Sequence, residues 1–553
     1  MTNASQRFIP AQFQPALPRD KFIISHKPEG DDVVPLDVVF VGAGPAGLSG
    51  ALELARLVSD DKKNGGSLSV EIGVLEKAGT LGGHSLSGAV VNPLGFRTLF
   101  PDLKDEDFPF RRKVTGEKVF LMTKNQAIRI PTPPTMNNHG NYIASLCECV
   151  RWLGQKAEEA GVNIMTGFPV DSLLVEGQRV IGVRTTPAGL KRDSTPGPNA
   201  LPATDISAQV VVLTDGTRSP LAQSYIEWQK LQGKFEQIFA LGVKEIWKVK
   251  KAPDYIAHTL GWPLPKDAFG GSFLYPMADD QVALGIVVGM DYKNPKLDVH
   301  LQLQHMKQHP LFKEILAGGQ CVEWGAKTIP EGGYHALPTR FTGDGLLMGG
   351  DCVGMVNVPA LKGIHYAMLS GIYAARAIFR SLKAGDTTAN GLSAYDHSLR
   401  ESVIWKDINK VRNMRHAFKS GFYVGGIKAS LMTVTGGAFP GDAHHPEEDA
   451  KEAKEFGPEC FPTEKIGLSK VDAVYLSGNK TRDDIPQHLT VGKDIPPSIA
   501  DFYSSMCPAG VYERQGDKLV VNAPNCVDCK ATDVLGPRWT PREGGSGPNY
   551  KEM

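Results

Sequence analysis

The chain has 553 residues, with 60 basic and 60 acidic side chains and 41% hydrophobic residues. This composition excludes a disordered chain, and the balanced charge gives no long-range attraction to nucleic acid, so no nucleic-acid partner is expected. The length allows two to four folding units, and eight scattered cysteines favour a reducing compartment over a disulfide-rich secreted domain.

The N-terminal residues predict neither a secretory signal nor a membrane span. Residues 1–35 lack an apolar signal segment and carry several acidic side chains, whereas an organelle transit peptide is poor in acids. No run of 18 or more apolar residues is present anywhere in the chain. A bacterial location is therefore expected rather than a mitochondrial one.

A dinucleotide-binding turn is predicted near the start of the chain. A buried strand pattern from Leu36 ends in Gly42-Ala-Gly44-Pro-Ala-Gly47, and a helical pattern follows at once. Gly42 permits the tight turn, Gly44 lets the main chain approach a pyrophosphate, and Gly47 lets the helix pack on its strand. The pyrophosphate would lie at the helix N-terminus. Glu76 ends the second strand, where a carboxylate can accept hydrogen bonds from ribose hydroxyls.

Two later segments favour FAD over NAD as the bound nucleotide. A strand pattern from Val211 ends in a glycine turn at Gly216, and another strand pattern ends at Gly349-Gly350-Asp351. The Asp351 carboxylate could hold ribityl hydroxyls, and the alternative for this residue is a helix N-cap. No second strand–GxGxxG–helix unit is present, so a separate NAD(P)H domain is not expected. Residues 191–205 are rich in Pro, Ser, Thr and Gly and predict an exposed loop.

Cysteines near the C-terminus predict an iron–sulfur cluster with one unusual position. Cys507 precedes a proline, and Cys526 and Cys529 form a C-x2-C pair. Ferredoxin modules use a separate Cys-Pro and a C-x2-C-x2-C triad, and Thr532 stands where the third cysteine of the triad is expected. A hydroxyl is a far poorer iron ligand than a thiolate.

Three outcomes stay open for this cluster. Three thiolates could hold a [3Fe–4S] centre, or a carboxylate from Asp528 or Asp533 could complete a cubane. Cys460 could serve instead if the segment that carries it folds back. In the third outcome the cluster is lost and the fold is kept.

The chain resembles the electron transfer flavoprotein–ubiquinone oxidoreductase family from about residue 36 to the C-terminus. The motifs that carry the resemblance are Met136-Asn-Asn-His-Gly-Asn-Tyr142, Gly261-Trp-Pro-Leu264, Gly270-Gly-Ser-Phe-Leu-Tyr275, Asp291-Tyr-Lys-Asn-Pro295, Asn357-Val-Pro359, Cys507-Pro-Ala-Gly-Val-Tyr-Glu513 and Gly547-Pro-Asn-Tyr550. The resemblance implies an electron-transferring-flavoprotein dehydrogenase that binds FAD and a [4Fe–4S] cluster. Such an enzyme takes electrons from reduced electron transfer flavoprotein and passes them to ubiquinone. The cofactors carry this chemistry, so no catalytic side chain is expected.

Quinone and membrane contacts are also implied by the resemblance. Gly270 and Gly271 match the family's quinone-contacting pair, and glycine exposes main-chain groups that can bond a quinone carbonyl. The alternative for this pair is a β-bulge or tight turn. Residues 412–440 combine apolar side chains with Arg412, Arg415 and Lys419, which favours an interfacial segment over an ordinary core helix. Peripheral, monotopic attachment is expected at the cytoplasmic face of a bacterial inner membrane, rather than the matrix face of a mitochondrial one.

The predicted fold is an α/β flavin-binding domain of the glutathione-reductase-like FAD type, with an inserted mixed-sheet quinone domain and a C-terminal ferredoxin-like α+β module. The predicted boundaries are 36–110 and 111–240 for the first two flavin-binding parts, 241–335 for the quinone domain, 336–440 for the last flavin-binding part, 441–465 for a linker and 466–553 for the iron–sulfur module. Two other functions fit the same residues. One is a soluble FAD-dependent reductase or monooxygenase, and the other is a flavin-binding carrier whose cluster site has decayed.

Overall fold

The structure, a computed structural model, describes residues 7–438 and 445–553, and at positions 422 and 423 it describes the main chain alone. Its first layer is a six-stranded sheet. The strands lie in the order Asn163–Thr166, Ile72–Glu76, Val38–Val41, Val210–Leu213, Leu346–Met348 and Thr342–Gly343, all parallel except the last. The central strands are continuous apolar runs that are fully buried, as expected for a parallel sheet covered on both faces.

Two long helices, Pro45–Lys63 and Ile364–Ala384, pack against each other beside this sheet. Glycines permit their close approach, because a Cβ at Gly371 would collide with the carbonyl oxygen of Ala46. The second of these helices is 21 residues long and is followed by its C-cap residue Gly385, which has a left-handed conformation with φ +67°. The other α-helices of the described residues are Arg19–Phe22, Leu94–Leu99, Leu146–Glu159, Pro220–Trp228, Val299–Met306, Pro310–Leu316, Ala394–Glu401, Val403–Lys410, Met414–Ala417, Phe422–Val434, Lys470–Leu476, Pro497–Met506 and Ala531–Leu535.

A seven-stranded mixed sheet forms the second large layer. Its strands lie in the order Gln320–Pro330, Phe239–Lys248, Gln281–Gly289, Gly270–Ala278, Ile256–Gly261, Glu117–Met122 and Ala127–Ile130. Neighbours are antiparallel except for the pair Ile256–Gly261 and Glu117–Met122, which is parallel. Five of the strands come from the segment predicted as an inserted sheet, and the last two come from an earlier part of the chain.

Smaller sheets connect these layers. A five-stranded sheet has the order Ile23–Ser25, Val170–Glu176, Arg179–Thr185, Asp205–Ser207 and Val34–Pro35, and a three-stranded sheet has the order Val90–Val91, Tyr142–Ile143 and Arg112–Lys113. The prediction of a loop over residues 191–205 was wrong in part. Pro196–Leu201 pairs with Ala188–Leu190 as a largely exposed hairpin, since main-chain pairing outweighs the Pro and Gly content there.

The C-terminal module is small and packs closely on the seven-stranded sheet. Its short strands pair as Tyr512–Gln515 with Lys518–Val521 and Leu489–Thr490 with Arg538–Trp539. Phe502 and Tyr503 of the module belong to the same buried apolar cluster as Trp324 and Leu284 of the sheet. The module and the sheet therefore share one hydrophobic core.

The segment predicted as a linker, 441–465, is closely packed where the structure describes it. The Asp449 carboxylate accepts a hydrogen bond from Phe239 N at 2.7 Å, and Lys454 Nζ donates to the carbonyl oxygens of Met290 and Tyr292. Lys454–Glu455 also pairs with the N-terminal strand Arg7–Phe8. Among the described residues, no helix is both long enough and apolar enough to cross a bilayer.

Candidate functional site

The predicted glycine turn forms one wall of a cavity of about 360 Å³ at the carboxyl end of the six-stranded sheet. Gly42 has φ +101°, and a Cβ there would lie 2.7 Å from the Thr214 carbonyl oxygen, so only glycine fits this turn. A Cβ at Gly47 would collide with the carbonyl oxygen of Gly42. Gly44 caps the following helix without a side chain, which leaves the first helical N–H groups facing the cavity.

Glu76 lies beside this turn and is fixed by main-chain donors. Its carboxylate accepts hydrogen bonds from Ala43 N at 2.9 Å and from Ala78 N at 2.8 Å. These bonds orient the carboxylate at the rim of the cavity that it lines. The position is the one at which a ribose diol would meet the acid.

Gly216 and Asp351 reach the same cavity from two further parallel strands. Burial raises the pKa of Asp351 to about 6. The alternative interpretation of Asp351 as a helix N-cap is wrong, because it lies inside the short helix Gly350–Val353 and Gly349 occupies the N-cap. The carboxyl ends of parallel strands meet at one edge, which explains why distant glycines and acids converge here.

Lysines complete the cavity, and the sequence analysis did not predict them. Lys77, Lys327, Lys362 and Lys530 all line it. Burial lowers the pKa of Lys327 and of Lys362 to about 8. Lys77 could have been found from its position directly after Glu76, the acid at the end of the second strand.

The residues of this cavity fit FAD. The glycine turn keeps side chains out of the place of the pyrophosphate, Glu76 and Asp351 can accept hydroxyl hydrogens, and the lysines supply positive charge for phosphates. When bound, FAD supplies storage and transfer of one or two electrons. The chain's own residues bind and orient it.

Gly270 and Gly271 begin a strand of the seven-stranded sheet and are not among the residues that line the cavity. A Cβ at Gly270 would lie 2.9 Å from Leu264 Cδ1, and a Cβ at Gly271 would collide with the Thr259 carbonyl oxygen. Close strand packing is therefore one reason for glycine here. Phe273 and Tyr275 of the same strand do line the cavity.

The three predicted cluster cysteines are brought together in the C-terminal module. Cys507 follows the helix Pro497–Met506, while Cys526 and Cys529 precede the helix Ala531–Leu535. All three thiols are free of disulfides and at least 93% buried. Burial raises the pKa of Cys526 to about 12 and that of Cys507 as well, so these groups need the charge of bound iron to become thiolates. The three thiols would supply three ligands to an iron–sulfur cluster, and the position expected for a fourth cysteine holds the hydroxyl of Thr532.

Asp528 is the centre of a buried polar cluster that joins the module to the flavin domain. Its carboxylate accepts from Lys77 Nζ at 2.9 Å, Trp539 Nε1 at 3.0 Å and Arg542 Nη2 at 3.0 Å. Burial alone would raise the pKa of Asp528, but the charges of Arg542 and Lys77 hold it well below its usual range. His84 and His488 lie nearby, and neither ring nitrogen of either side chain has a hydrogen-bond partner among the described residues.

Comparison with known proteins agrees with this division of the chain. Residues 239–329 match the ubiquinone-binding domain of ETF-QO, and residues 464–551 match the 4Fe-4S domain of electron transfer flavoprotein-ubiquinone oxidoreductase. Among solved structures, a geranylgeranyl bacteriochlorophyll reductase-like protein from Thermoplasma acidophilum superposes with a TM-score of 0.56 at 18% identity. It covers 76% of this chain and 95% of its own, which shows a shared fold.

The fold and the site define a flavin-dependent oxidoreductase with an iron–sulfur module. The mitochondrial electron transfer flavoprotein-ubiquinone oxidoreductases of Oryza sativa subsp. japonica and Rattus norvegicus are 37% and 36% identical to this chain. The alignments cover 95% and 94% of this chain, and 94% and 89% of the two relatives. The chain belongs to the electron transfer flavoprotein–ubiquinone oxidoreductase family. Its activity is the transfer of electrons from electron transfer flavoprotein, by way of an iron–sulfur cluster and FAD, to ubiquinone.

Proposed function

We propose that this chain reduces ubiquinone at a membrane surface, with FAD in the glycine-lined cavity and the quinone entering at Gly270 and Gly271. Gly42, Gly44, Gly47, Glu76, Gly216 and Asp351 hold the FAD in this proposal. Residues 241–335 form the quinone domain and residues 466–553 the iron–sulfur module. The family matches over 239–329 and 464–551 support these two assignments.

The main support for this proposal is the strand Gly270–Ala278 together with Phe269, the residue before it. They lie between the proposed membrane segment and the flavin cavity. The ring of Phe269, next to Gly270, packs edge-on against Phe418 of the segment 412–440, with 5.0 Å between ring centroids. Further along, Phe273 and Tyr275 line the cavity. A quinone that leaves the bilayer at Phe418 would meet the main chain of Gly270 and Gly271 before it reached the flavin.

The helix Phe422–Val434 supplies the membrane contact in this proposal. Val424, Ile427, Leu431 and Val434 recur at helical spacing and are 50%, 64%, 52% and 88% exposed. The other face of the helix is buried, since Met432 packs with Met414 and Ala417. An exposed apolar ridge on a short helix suits insertion into the headgroup region better than a full span.

The expected role of Arg415 as a cation at the membrane surface was wrong. Its guanidinium is buried and paired with Glu331 and Asp291. Lys419 also turns inward to Asp291 and Glu452. Phe439, another residue of the predicted interfacial segment, lies outside the described residues. The membrane contact therefore depends on apolar side chains more than on the cations expected from sequence.

Replacing Ile427 with glutamate is expected to weaken binding to liposomes about tenfold or more, because burial of an isoleucine side chain contributes roughly 1.5–3 kcal/mol. Flotation with vesicles of mixed neutral and anionic lipid measures the bound fraction. Val471→Glu is the matched control, since Val471 is 62% exposed on the iron–sulfur module. Equal binding by wild type and Ile427→Glu would contradict the assignment of the membrane face.

The quinone site is tested by Gly271→Ala, which adds a methyl group against the Thr259 carbonyl oxygen. Quinone reduction driven by photoreduced electron transfer flavoprotein is expected to fall about tenfold or more, equivalent to about 1.4 kcal/mol. Flavin content and reduction of the flavin by the donor should stay unchanged. Ala278→Val, at the far end of the same strand, is the control. A normal rate of quinone reduction in Gly271→Ala would contradict the assignment of Gly270 and Gly271 to the quinone site.

The same assay separates the two alternative functions. A soluble reductase or monooxygenase would be reduced by NAD(P)H and would show no dependence on quinone or liposomes. A flavin-binding carrier would hold FAD without turnover. Attachment at the cytoplasmic face of a bacterial inner membrane remains a prediction, and the matched relatives are named as mitochondrial proteins.

A further inference from the structure

The corner of the cluster site at Thr532 is closed by hydrogen bonds. Thr532 Oγ1 lies 3.2 Å from the Pro537 carbonyl oxygen, to which it donates, and 2.5 Å from the Tyr512 hydroxyl. A threonine hydroxyl has one hydrogen, so Tyr512 is the donor in the second bond. Both side chains are buried. The oxygen at this corner is therefore held by hydrogen bonds and remains protonated.

Neither nearby carboxylate is available to replace the missing thiolate. Asp528 accepts bonds from a lysine, a tryptophan and an arginine, and a longer one from the Cys526 thiol at 3.6 Å. Asp533 accepts from Arg218 Nε through one oxygen and from Trp539 N through the other. If either carboxylate bound iron, buried cations would lose their partner, which is strongly destabilising.

His488 and Cys460 do not supply a fourth corner either. One ring nitrogen of His488, the Cys526 sulfur and an Asp528 oxygen all lie within 4.8 Å of one another. Side chains that bind two different irons of one cluster point away from each other, and their ligand atoms lie further apart than this. The short distance between His488 and Cys526 therefore does not suit His488 as the ligand of a second iron when Cys526 binds the first. Cys460 is exposed, and burial followed by the charge of Asp267, a residue outside the module, raises the pKa of its thiol.

The remaining ligand set is the three cysteines. All three are free thiols of the C-terminal module, buried in the same apolar cluster. We propose that Cys507, Cys526 and Cys529 hold a three-iron [3Fe–4S] centre, with the Tyr512–Thr532 pair in the place of the fourth iron and its ligand. The proposal rests on the proposed function and specifies the cluster through which that function operates. It departs from the four-iron centre in the name of the matched domain.

The test is metal analysis and EPR of anaerobically purified full-length protein. We expect three irons and four sulfides per chain and the signal of an oxidised three-iron centre. Incubation with ferrous iron and a reductant should leave the iron count unchanged, because the fourth corner is closed. Thr532→Cys should gain one iron, lose the signal in the oxidised state and acquire a signal on reduction. Thr532→Ser keeps the hydroxyl and should behave as wild type.

Several results would overturn the proposal. They are four irons in the wild type, uptake of a fourth iron on incubation, nitrogen coupling from a histidine ligand in pulsed EPR, absence of iron, or no change in Thr532→Cys. Quinone reduction is measured on the same samples. Four irons with normal quinone reduction would contradict the three-iron centre but not the proposed function. Three irons without quinone reduction would contradict the proposed function.

Discussion

Gly44→Val is expected to yield a folded protein that is colourless. No atom lies within 4 Å of a Cβ built at Gly44, and its φ of −84° suits any residue, so the chain itself tolerates the change. The added side chain would occupy the place of the pyrophosphate at the helix N-terminus. We expect FAD affinity to fall at least tenfold, or about 1.4 kcal/mol, and the purified protein to lack flavin absorbance.

The control for this experiment is Gly457→Val. Gly457 is exposed, and a Cβ there would also meet nothing within 4 Å, but it is not among the residues that line the cavity. Absorbance gives the flavin content, and circular dichroism reports the fold. A yellow Gly44→Val protein with a normal flavin ratio would show that the pyrophosphate does not lie on this turn.

Arg415→Met is expected to destabilise the protein by about 3–5 kcal/mol, because it removes the cation paired with the buried Glu331 carboxylate and leaves the Asp291 carboxylate paired with Lys419 alone. Arg415 Nε donates to Glu331 Oε2 at 2.6 Å and Nη2 donates to Asp291 Oδ1 at 3.0 Å. The guanidinium also stacks on Phe269, 4.1 Å from the ring centroid. Denaturant unfolding at neutral pH gives the difference in free energy between variant and wild type.

Arg412→Met is the matched control, because the Arg412 guanidinium donates to the carbonyl oxygens of Asn409 and Gly436. We expect a loss below about 1.5 kcal/mol there. An equal loss in the two variants would contradict the role of the buried pairs.

The effect of Arg415 should also depend on pH. Burial alone would raise the pKa of Asp291, but the charges of Arg415 and Lys419 hold it well below its usual value. A depressed folded-state pKa contributes stability above the unfolded value, about pH 4, and this contribution is lost as the pH falls through the folded value. The gap in stability between wild type and Arg415→Met should therefore narrow in acid.

Local patterns were sufficient to predict the glycine turn that lines the cavity. The strand, turn and helix around Gly42 are adjacent in sequence, so their geometry follows from glycine's freedom at positive φ and from the apolar run before it. Glu76, Gly216 and Asp351 follow by the same logic, since each ends a parallel strand and such ends meet at one edge. The cluster cysteines could be predicted from the Cys507-Pro508 pair and from the C-x2-C spacing of Cys526 and Cys529.

Contacts between distant segments could not be predicted. Lys77 and Asp528 are 451 residues apart, and Arg218 and Asp533 are 315 apart, yet both pairs are within 2.9 Å. Such pairs depend on how complete domains pack, about which a local window has no information. Arg415 shows the same limit, because its neighbours in sequence resemble a membrane surface while its partners Asp291 and Glu331 lie on other segments.

The common core of the iron–sulfur module and the seven-stranded sheet has a consequence for how such a protein can change. Trp324 of the sheet and Phe502 of the module are buried in one apolar cluster to which both parts contribute. Removal of the module would expose the apolar side chains of the seven-stranded sheet that pack against it. We therefore do not expect the module to function as an independent electron carrier. Substitutions in the iron–sulfur module and in the seven-stranded sheet must therefore remain compatible with the shared core.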